Sequence, residues 1–361
     1  MKFNRVTQTR NNVIDIVKGI TILLVIYGHV IQILYMGTGM EFFSDRIEKF
    51  ICSFHMPLFS LISGYLFYFT CIHRTIKEIF YKRIVGLIQP LLIWGTFYYT
   101  LYLVLLNFFW GGGGCNLSLR EWWNTVSGPF LWFLWSMIAA SIIVLLSERM
   151  KKSSLLFMIV GMWVVYLFPN SEYNVYVYPF FVMGYIFHKY ENNIRNHISR
   201  KVEIMIVIIF VIMLFFYNED HYIYTTGISL LTTERSWMQQ LSINLFRYTI
   251  GALGSISIII IIKRIYNRIP KVIKAMLTFC GEKSLEIYIL QCIVVSWMFS
   301  MLYSNIVLNI YGNLFKRLFK NFMLLDFIIA PIITFILVTI ILILLNIINK
   351  FGKISKVLFG R

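Results

Sequence analysis

Long runs of apolar residues alternate with short polar connections along the whole chain of 361 residues. A helix needs about 20 mostly apolar residues to cross the hydrocarbon core of a bilayer. Ten stretches meet or approach this length: residues 13–35, 50–72, 84–110, 130–147, 154–169, 174–189, 202–217, 244–263, 285–304 and 323–349. No polar stretch between them is long enough for a separate soluble domain. The pattern predicts an all-α, polytopic transmembrane helix bundle of about ten spans, formed by residues 1–361 as one domain.

Basic residues indicate how this bundle is oriented. With the N-terminus in the cytoplasm, 24 of the 33 Lys and Arg residues fall in cytoplasmic segments and seven in outer ones. An excess of Lys and Arg on the cytoplasmic side is the usual pattern in membrane proteins. We therefore predict that both ends are cytoplasmic, with short basic tails at residues 1–12 and 350–361. The outer connection 305–322 carries three basic residues and departs from this pattern.

Composition agrees with a lipid environment. Hydrophobic residues make up 59% of the chain and charged residues 14%, whereas charged residues are roughly a quarter of a soluble domain. The net charge of +17 lies in short clusters between apolar runs, which argues against a nucleic-acid-binding face. The five cysteines lack CxxC spacing, so neither a disulfide framework nor a metal site is predicted. Asp15 and Lys18 in the first span favour a retained helix over a cleaved signal peptide.

Two further patterns argue against other classes of protein. Four consecutive glycines, Gly111 to Gly114, predict a flexible turn, because the residues after them do not supply the Lys and hydroxyl pair of a phosphate-binding loop. The chain shows no internal repeat, so the duplicated halves of many transporters are not visible.

Three ionisable residues lie in the first predicted span. At about 100° per residue, Asp15, Lys18 and His29 share one face, with the imidazole about 16 Å further out than the ion pair. Ionisable groups inside a membrane are candidates for function. Since a neutral imidazole can take a proton from a hydroxyl, His29 is a candidate catalytic base. The alternatives are an interfacial Asp15–Lys18 pair with a snorkelling lysine, and a histidine satisfied within the core.

Residues of later spans could complete a site. His55 enters the second span from outside and therefore lies at the depth of His29, where it could contact a substrate. Arg83 is either a cytoplasmic anchor or a ligand for an anionic cofactor's phosphates. Trp132 belongs to an interfacial aromatic belt or stacks on a sugar. Arg247, early in the eighth span, is expected to reach outward to the interface.

Several short segments, taken in order, resemble the acyltransferase-3 family of integral membrane acyltransferases, in particular its sugar and polysaccharide O-acetyltransferases. These segments are Ile14-Asp15-Ile16-Val17-Lys18-Gly19 through Gly28-His29, Phe54-His55-Met56-Pro57-Leu58-Phe59, Ile62-Ser63-Gly64-Tyr65, Lys82-Arg83 with Pro90, Leu131-Trp132-Phe133-Leu134, Tyr178-Pro179-Phe180-Phe181 with Gly184, and Ser284-Leu285-Glu286-Ile287-Tyr288. The set covers nearly the whole chain.

The resemblance implies an enzyme that moves an acyl group, usually acetyl, from cytoplasmic acyl-CoA to a glycan hydroxyl at or beyond the outer face of the cell membrane. It implies that His29 is the essential histidine, with Asp15 and His55 supporting catalysis. Lys18, where the family usually has arginine, and Arg83 would bind acyl-CoA. Ser63, Trp132 and Tyr288 would contact the substrate.

On this interpretation His29 deprotonates the acceptor hydroxyl or first takes the acyl group itself. Acetyl-CoA is then a donor substrate, no cofactor is permanently bound, and the partners are a glycan acceptor and the bilayer. Whether the protein forms a homo-oligomer is left open by the sequence. The alternative is a transporter or flippase for a glycan or lipid-linked sugar, with the histidines as proton carriers. A glycan polymerase is a third alternative, although it would be expected to carry a larger arginine-containing outer loop.

Overall fold

The computed structural model describes residues 12–35, 42–109, 118–150, 153–191, 193, 198–230, 235–304 and 322–360. Gly111 to Gly114 and nearly all of the connection 305–322 lie outside these residues, as does most of the predicted N-terminal tail. Within the described ranges the regular structure is helical and contains no strand. The predicted all-α helix bundle is therefore confirmed.

The helices follow the apolar stretches of the sequence. In chain order they are α1 (Asn12–Tyr35), α2 (Arg46–His73), α3 (Gly86–Phe109), α4 (Leu119–Val126), α5 (Trp132–Arg149), α6 (Ser154–Val164), α7 (Ser171–Lys189), α8 (Arg200–Phe215), α9 (Trp237–Ile265), α10 (Lys271–Glu282), α11 (Ser284–Ile293), α12 (Ala330–Lys350) and α13 (Gly352–Leu358). Three short segments with π-helical geometry adjoin them: Phe80–Val85 before α3, Val294–Phe299 after α11 and Leu325–Ile329 before α12.

Seven helices of the described chain are long and apolar enough to cross a membrane: α1, α2, α3, α5, α9, α11 and α12, counted with their helical extensions. The other three predicted spans are also helical. However, α6 and α8 have 11 and 16 residues, and α7 is rich in tyrosine and other polar residues. The chain therefore forms a multi-pass helix bundle. That it crosses the membrane ten times, with both ends in the cytoplasm, stays a prediction.

Two helices begin earlier than the hydropathy pattern predicts. The α2 helix begins at Arg46 rather than near residue 50, because the Asp45 side chain caps it by accepting the Glu48 N–H at 2.6 Å. The α9 helix begins at Trp237 rather than near residue 244, after a capping box that starts at Ser236. Glu48 therefore lies inside a helix of the bundle and not in a connecting loop.

Glycines allow the central helices to approach closely. A Cβ atom on Gly19 would collide with the Leu277 carbonyl, and one on Gly281 with the Asp15 carbonyl, so α1 and α10 cross backbone to backbone. The α2 and α7 helices meet in the same way, since Gly184 faces the Leu61 carbonyl. These crossings hold α1 and α2, and with them the candidate histidines, in the interior of the bundle.

Arg247 corrects one prediction. Its side chain points towards the predicted outer connection, but it is 1% exposed there rather than reaching the interface, and it organises the segment before α9. The guanidinium donates hydrogen bonds to the carbonyls of Asp220, His221, Tyr222 and Gly227 and to the side chains of Asn244 and Thr226. These bonds satisfy a cation that would otherwise be costly to bury. In the same segment, burial and the neighbouring guanidinium lower the pKa of His221 to about 4, and its Nδ1 accepts the Asn218 N–H.

The segment predicted as a basic C-terminal tail forms α13, which packs against α3. The Trp94 indole N–H donates to the Leu358 carbonyl at 2.8 Å, and the Gln89 amide donates to the Val357 carbonyl at 3.0 Å. Phe359 is fully buried and stacks on Trp94 with 5.9 Å between ring centroids. The start of α3, next to Arg83, is thereby held in place.

Candidate active site

Two cavities lie along α1, α5 and α11, towards opposite ends of α1 and α11. The larger, which we call the aromatic cavity, has a volume of about 440 Å³. Its wall includes His29, the rings of Tyr98, Tyr102, Phe130, Trp132 and Trp297, and the polar residues Asn124, Gln291 and Ser296. The smaller, which we call the basic cavity, has a volume of about 150 Å³, and the charged residues in its wall are Lys18 and Arg83.

Tyr288 lines both cavities and stands between them. Its hydroxyl accepts the backbone N–H of Phe133 at 3.3 Å, and the two rings meet edge to face. That N–H lies in the first turn of α5, where a helix has no internal acceptor for it. The bond between α11 and α5 therefore satisfies a free helix end and fixes the ring that separates the two spaces.

His29 lies on α1 and is half-buried in the wall of the aromatic cavity. Its Nδ1 is 3.0 Å from the Gln32 side-chain oxygen, one helical turn further along. An amide oxygen can only accept, so Nδ1 carries the proton and Nε2 keeps its lone pair. A neutral imidazole with a free Nε2 has the form that a general base requires.

His55 lies on α2, close enough to interact electrostatically with His29. Its Nδ1–H donates to the Ile51 carbonyl at 2.7 Å, which likewise leaves Nε2 unprotonated. His55 is not among the residues that line either cavity, so its predicted contact with a substrate stays a prediction. The structure places the two imidazoles in one region of the bundle, while their common depth near the outer face stays a prediction.

The predicted ion pair is present at the start of α1. The Lys18 ammonium is 4.0 Å from the Asp15 carboxylate, and Lys18 lines the basic cavity. Asp15 is 7% exposed and packs beside Gly281. It lies 14 residues before His29, or about 21 Å along the helix, so the two are far apart. The geometry brings Asp15 to Lys18 and not to the imidazole.

Arg83 belongs to the π-helical segment Phe80–Val85, and π-helical turns are frequent at functional sites. Its guanidinium lies over the Phe67 ring at 6.0 Å and lines the basic cavity. The buried Nε atom has no hydrogen-bond partner among the described residues. A buried donor without a partner is unusual, and in a cavity wall it is available to an anionic ligand.

The predicted substrate-contacting residues divide between the cavities. Ser63 lines the basic cavity beside Lys18 and Arg83. Trp132 lines the aromatic cavity, where its ring packs against Tyr173 at 4.8 Å. Tyr288 belongs to both, as described above. Of the predicted site residues, only Asp15 and His55 are thus absent from the described cavity walls.

Three residues of this region have no role in the sequence prediction: Gln32, Glu48 and Gln291. Gln32 bridges His29 and Glu48, since its amide nitrogen donates to Glu48 Oε1 at 2.9 Å. Gln291 is 1% exposed, lines the aromatic cavity, and has a side-chain oxygen without a partner among the described residues. The position of Gln32, three residues after His29 on the same helix, is the one signal that the sequence offered.

Comparisons with known proteins show the family of the chain. A family model described as an acyltransferase domain matches residues 11–348. The nodulation protein NolL of Sinorhizobium fredii is 31% identical over 184 residues, which are 50% of this chain and 49% of that protein. NolL of Mesorhizobium japonicum is 29% identical over 187 residues, 50% of this chain and 48% of that protein.

The match thus spans about half the length of these relatives. No solved structure matches the chain. The family model, in contrast, covers all ten predicted spans with the exception of the last residue, and includes both cavities. The chain therefore belongs to the acyltransferase-3 family of integral membrane acyltransferases.

Proposed function

We propose that this protein transfers an acyl group, in the first instance acetyl, from cytoplasmic acyl-CoA to a hydroxyl of a cell-surface glycan or its precursor, with His29 as the general base. The observation that carries the proposal is the pair of cavities that lie on either side of Tyr288, which lines both. One cavity offers cations to an anionic donor, and the other offers aromatic rings and a basic imidazole to a sugar. The protein acts, in this proposal, in the plasma or inner membrane.

The basic cavity suits the reactive end of the donor. Its volume of about 150 Å³ is roughly that of five water molecules, enough for the acyl group and its thioester but not for a nucleotide. Lys18 and Arg83 in its wall attract the phosphates of the part that stays outside. The unpartnered Arg83 Nε supplies a donor for a charge-assisted hydrogen bond.

The aromatic cavity suits the acceptor. Its volume of about 440 Å³ lies in the usual range of small-molecule sites, roughly 300–1,000 Å³. Aromatic rings such as Trp132 and Trp297 pack against the apolar faces of a sugar, while Asn124, Gln291 and Ser296 satisfy its hydroxyls. One of these hydroxyls meets His29 Nε2.

The chemistry follows from these positions. The acceptor oxygen attacks the thioester carbonyl and gives its proton to His29 Nε2; a C–O bond forms, the C–S bond breaks, and the proton passes to the sulfur of coenzyme A. The Tyr288 hydroxyl accepts from Phe133, and its O–H, which is hydrogen-bonded to Cys292 in the resting protein, turns to donate a hydrogen bond to the carbonyl oxygen as negative charge develops there. No other reactant is needed to balance the step.

This proposal predicts release of coenzyme A that depends on a glycan acceptor. Membranes containing the protein are mixed with acetyl-CoA, with and without a mixture of cell-envelope glycans, and free thiol is measured together with labelled acetyl on the glycan. A transporter or flippase would move a glycan without releasing thiol. Absence of acceptor-dependent release from protein that is folded and supplied with its native envelope would count against the acyltransferase proposal.

Gln291 should affect acceptor binding and not donor binding. Gln291→Leu removes the unpartnered amide oxygen from the aromatic cavity, and one hydrogen bond to a sugar hydroxyl is worth about 0.5–1.5 kcal/mol. We expect the KM for the glycan to rise roughly two- to tenfold, with the KM for acetyl-CoA unchanged. Gln240→Leu, on α9 and away from both cavities, is the matched control. A rise in the KM for acetyl-CoA instead would place Gln291 on the donor side.

A further inference from the structure

Gln32 and Glu48 form a hydrogen-bonded chain that ends on His29. Glu48 Oε1 accepts the Gln32 amide N–H at 2.9 Å, and the Gln32 amide oxygen accepts the His29 Nδ1–H at 3.0 Å. Glu48 is fully buried, so this carboxyl group is not exchanging its partners with water. The mechanism proposed above uses neither Gln32 nor Glu48, yet both lie directly behind its base.

In this series of hydrogen bonds, the groups that can only accept determine which way each bond runs. Glu48 Oε1 also accepts the Cys52 S–H at 2.9 Å, so this oxygen is an acceptor, and a proton on the carboxyl group would be held by Oε2. The Gln32 amide must therefore turn its nitrogen to Glu48 and its oxygen to His29. An oxygen facing Nδ1 holds the proton there, and the lone pair remains on Nε2, at the cavity. Without Glu48, the amide could reverse and present its N–H groups to the imidazole.

Glu48 is itself held in place from two sides. Its backbone N–H donates to the Asp45 cap, which fixes the first turn of α2. Its other oxygen, Oε2, lies against Gly28, where a Cβ atom would be 3.2 Å away, tighter than an ordinary contact. The glycine before His29 thus leaves room for the carboxyl group of the neighbouring helix.

We propose that Glu48 and Gln32 are positioning residues that fix the Nδ1–H tautomer of His29 and so keep its Nε2 available as the base. This proposal rests on the proposed function for its catalytic consequence. The tautomer itself is a property of the resting protein and can be measured without any substrate.

The test combines nitrogen NMR with kinetics. Protein labelled with ¹⁵N-histidine is purified in nanodiscs, and the His29 signal is identified by its absence in His29→Ala. Six histidines are present, so the spectrum is simple. We expect wild type to show a protonated Nδ1 and an unprotonated Nε2, while Gln32→Met and Glu48→Met show a mixture of tautomers. Their kcat should fall roughly 10- to 100-fold, as for other residues that orient a functional histidine, with both KM values unchanged.

An exchange of the two side chains provides the rescue. In the double variant Gln32→Glu with Glu48→Gln, the new carboxylate accepts from His29 Nδ1–H and from the new amide. The amide nitrogen takes the place of Glu48 Oε1, so its second N–H faces Cys52 Sγ and the bond to Cys52 reverses. The bonds that reach His29 are kept, so the single tautomer should return and kcat should recover to within roughly threefold of wild type. Since the exchange conserves volume, it also tests the proposal if Glu48→Met does not fold.

Glu203→Met is the matched control, because Glu203 is paired with Arg264 near the surface and away from His29. It should change neither the tautomer nor kcat. A wild-type His29 protonated on Nε2, or an unchanged single tautomer in both Gln32→Met and Glu48→Met, would overturn the proposal whatever the activity. Absence of transfer in wild type together with the expected tautomers would instead contradict the proposed function and leave the positioning of His29 established.

Discussion

His29→Ala is expected to lower acyl transfer to glycan roughly 100- to 10,000-fold, the range of contribution of a general base. The reason is the position of the imidazole, which lines the aromatic cavity with a free Nε2 and has its Nδ1 engaged by Gln32. Nothing else among the described wall residues of that cavity is a comparable base near neutral pH, since its remaining polar groups are hydroxyls, amides, indoles and a thiol. The measurement is transfer of labelled acetyl from acetyl-CoA in membranes.

His188→Asn is the matched control for this substitution. His188 lies near the end of α7, where it stacks on Tyr65 and donates to the Tyr65 carbonyl, and it lines neither of the two cavities. Transfer per folded molecule should remain at the wild-type level. Equal transfer by His29→Ala and wild type, at equal amounts of folded protein, would support the acyltransferase activity but exclude His29 as its general base.

Arg83→Ala is expected to raise the KM for acetyl-CoA roughly 10- to 100-fold. A hydrogen bond to a charged group is worth about 1.5–3 kcal/mol, and the Arg83 side chain has a buried donor that finds no partner in the part of the chain that the structure describes. Arg83→Lys should recover only part of this affinity, because lysine keeps the charge and loses the planar fork. Lys18→Ala should act in the same direction. The measurement is the dependence of thiol release on acetyl-CoA at saturating glycan.

Lys82→Ala is the matched control for Arg83. Lys82 carries the same charge in the adjacent position but is exposed and does not line the basic cavity. Its removal should leave the KM for acetyl-CoA nearly unchanged, which separates a specific contact from the general attraction of a basic surface. If Lys82→Ala and Arg83→Ala raised this KM equally, the basic cavity would not be the donor site.

The sequence predicted those parts of the fold that depend on local periodicity. Each predicted span coincides with a helix, because a long apolar run in a bilayer leaves the backbone no alternative to internal hydrogen bonds. The shared face of Lys18 and His29 follows from the helical repeat alone. Both residues do line cavities, at the ends of α1 where the spacing puts them.

Features that depend on contacts between helices were not accessible in this way. Glu48 looked like part of a loop, because hydropathy does not register that Asp45 starts a helix before the apolar run. The sequence predicted that Arg247 would reach the interface, because it does not reveal that the hydrogen-bond acceptors come from a segment more than twenty residues earlier. The meeting of the cavities depends on Tyr288 and Phe133, which are 155 residues apart.

The ring of Tyr288 also has an electrical consequence. In the predicted topology the basic cavity lies on the cytoplasmic side of this ring and the aromatic cavity on the outer side. If both cavities are open to water, the low-dielectric path between the two aqueous phases would shrink to the thickness of the ring. An elementary charge that passed there would then cross nearly the full membrane voltage, roughly 2.3 kcal/mol per 100 mV. In the proposed function, the acetyl group is neutral and would cross without electrical work, whereas the phosphates of coenzyme A would stay on the side of the basic cavity.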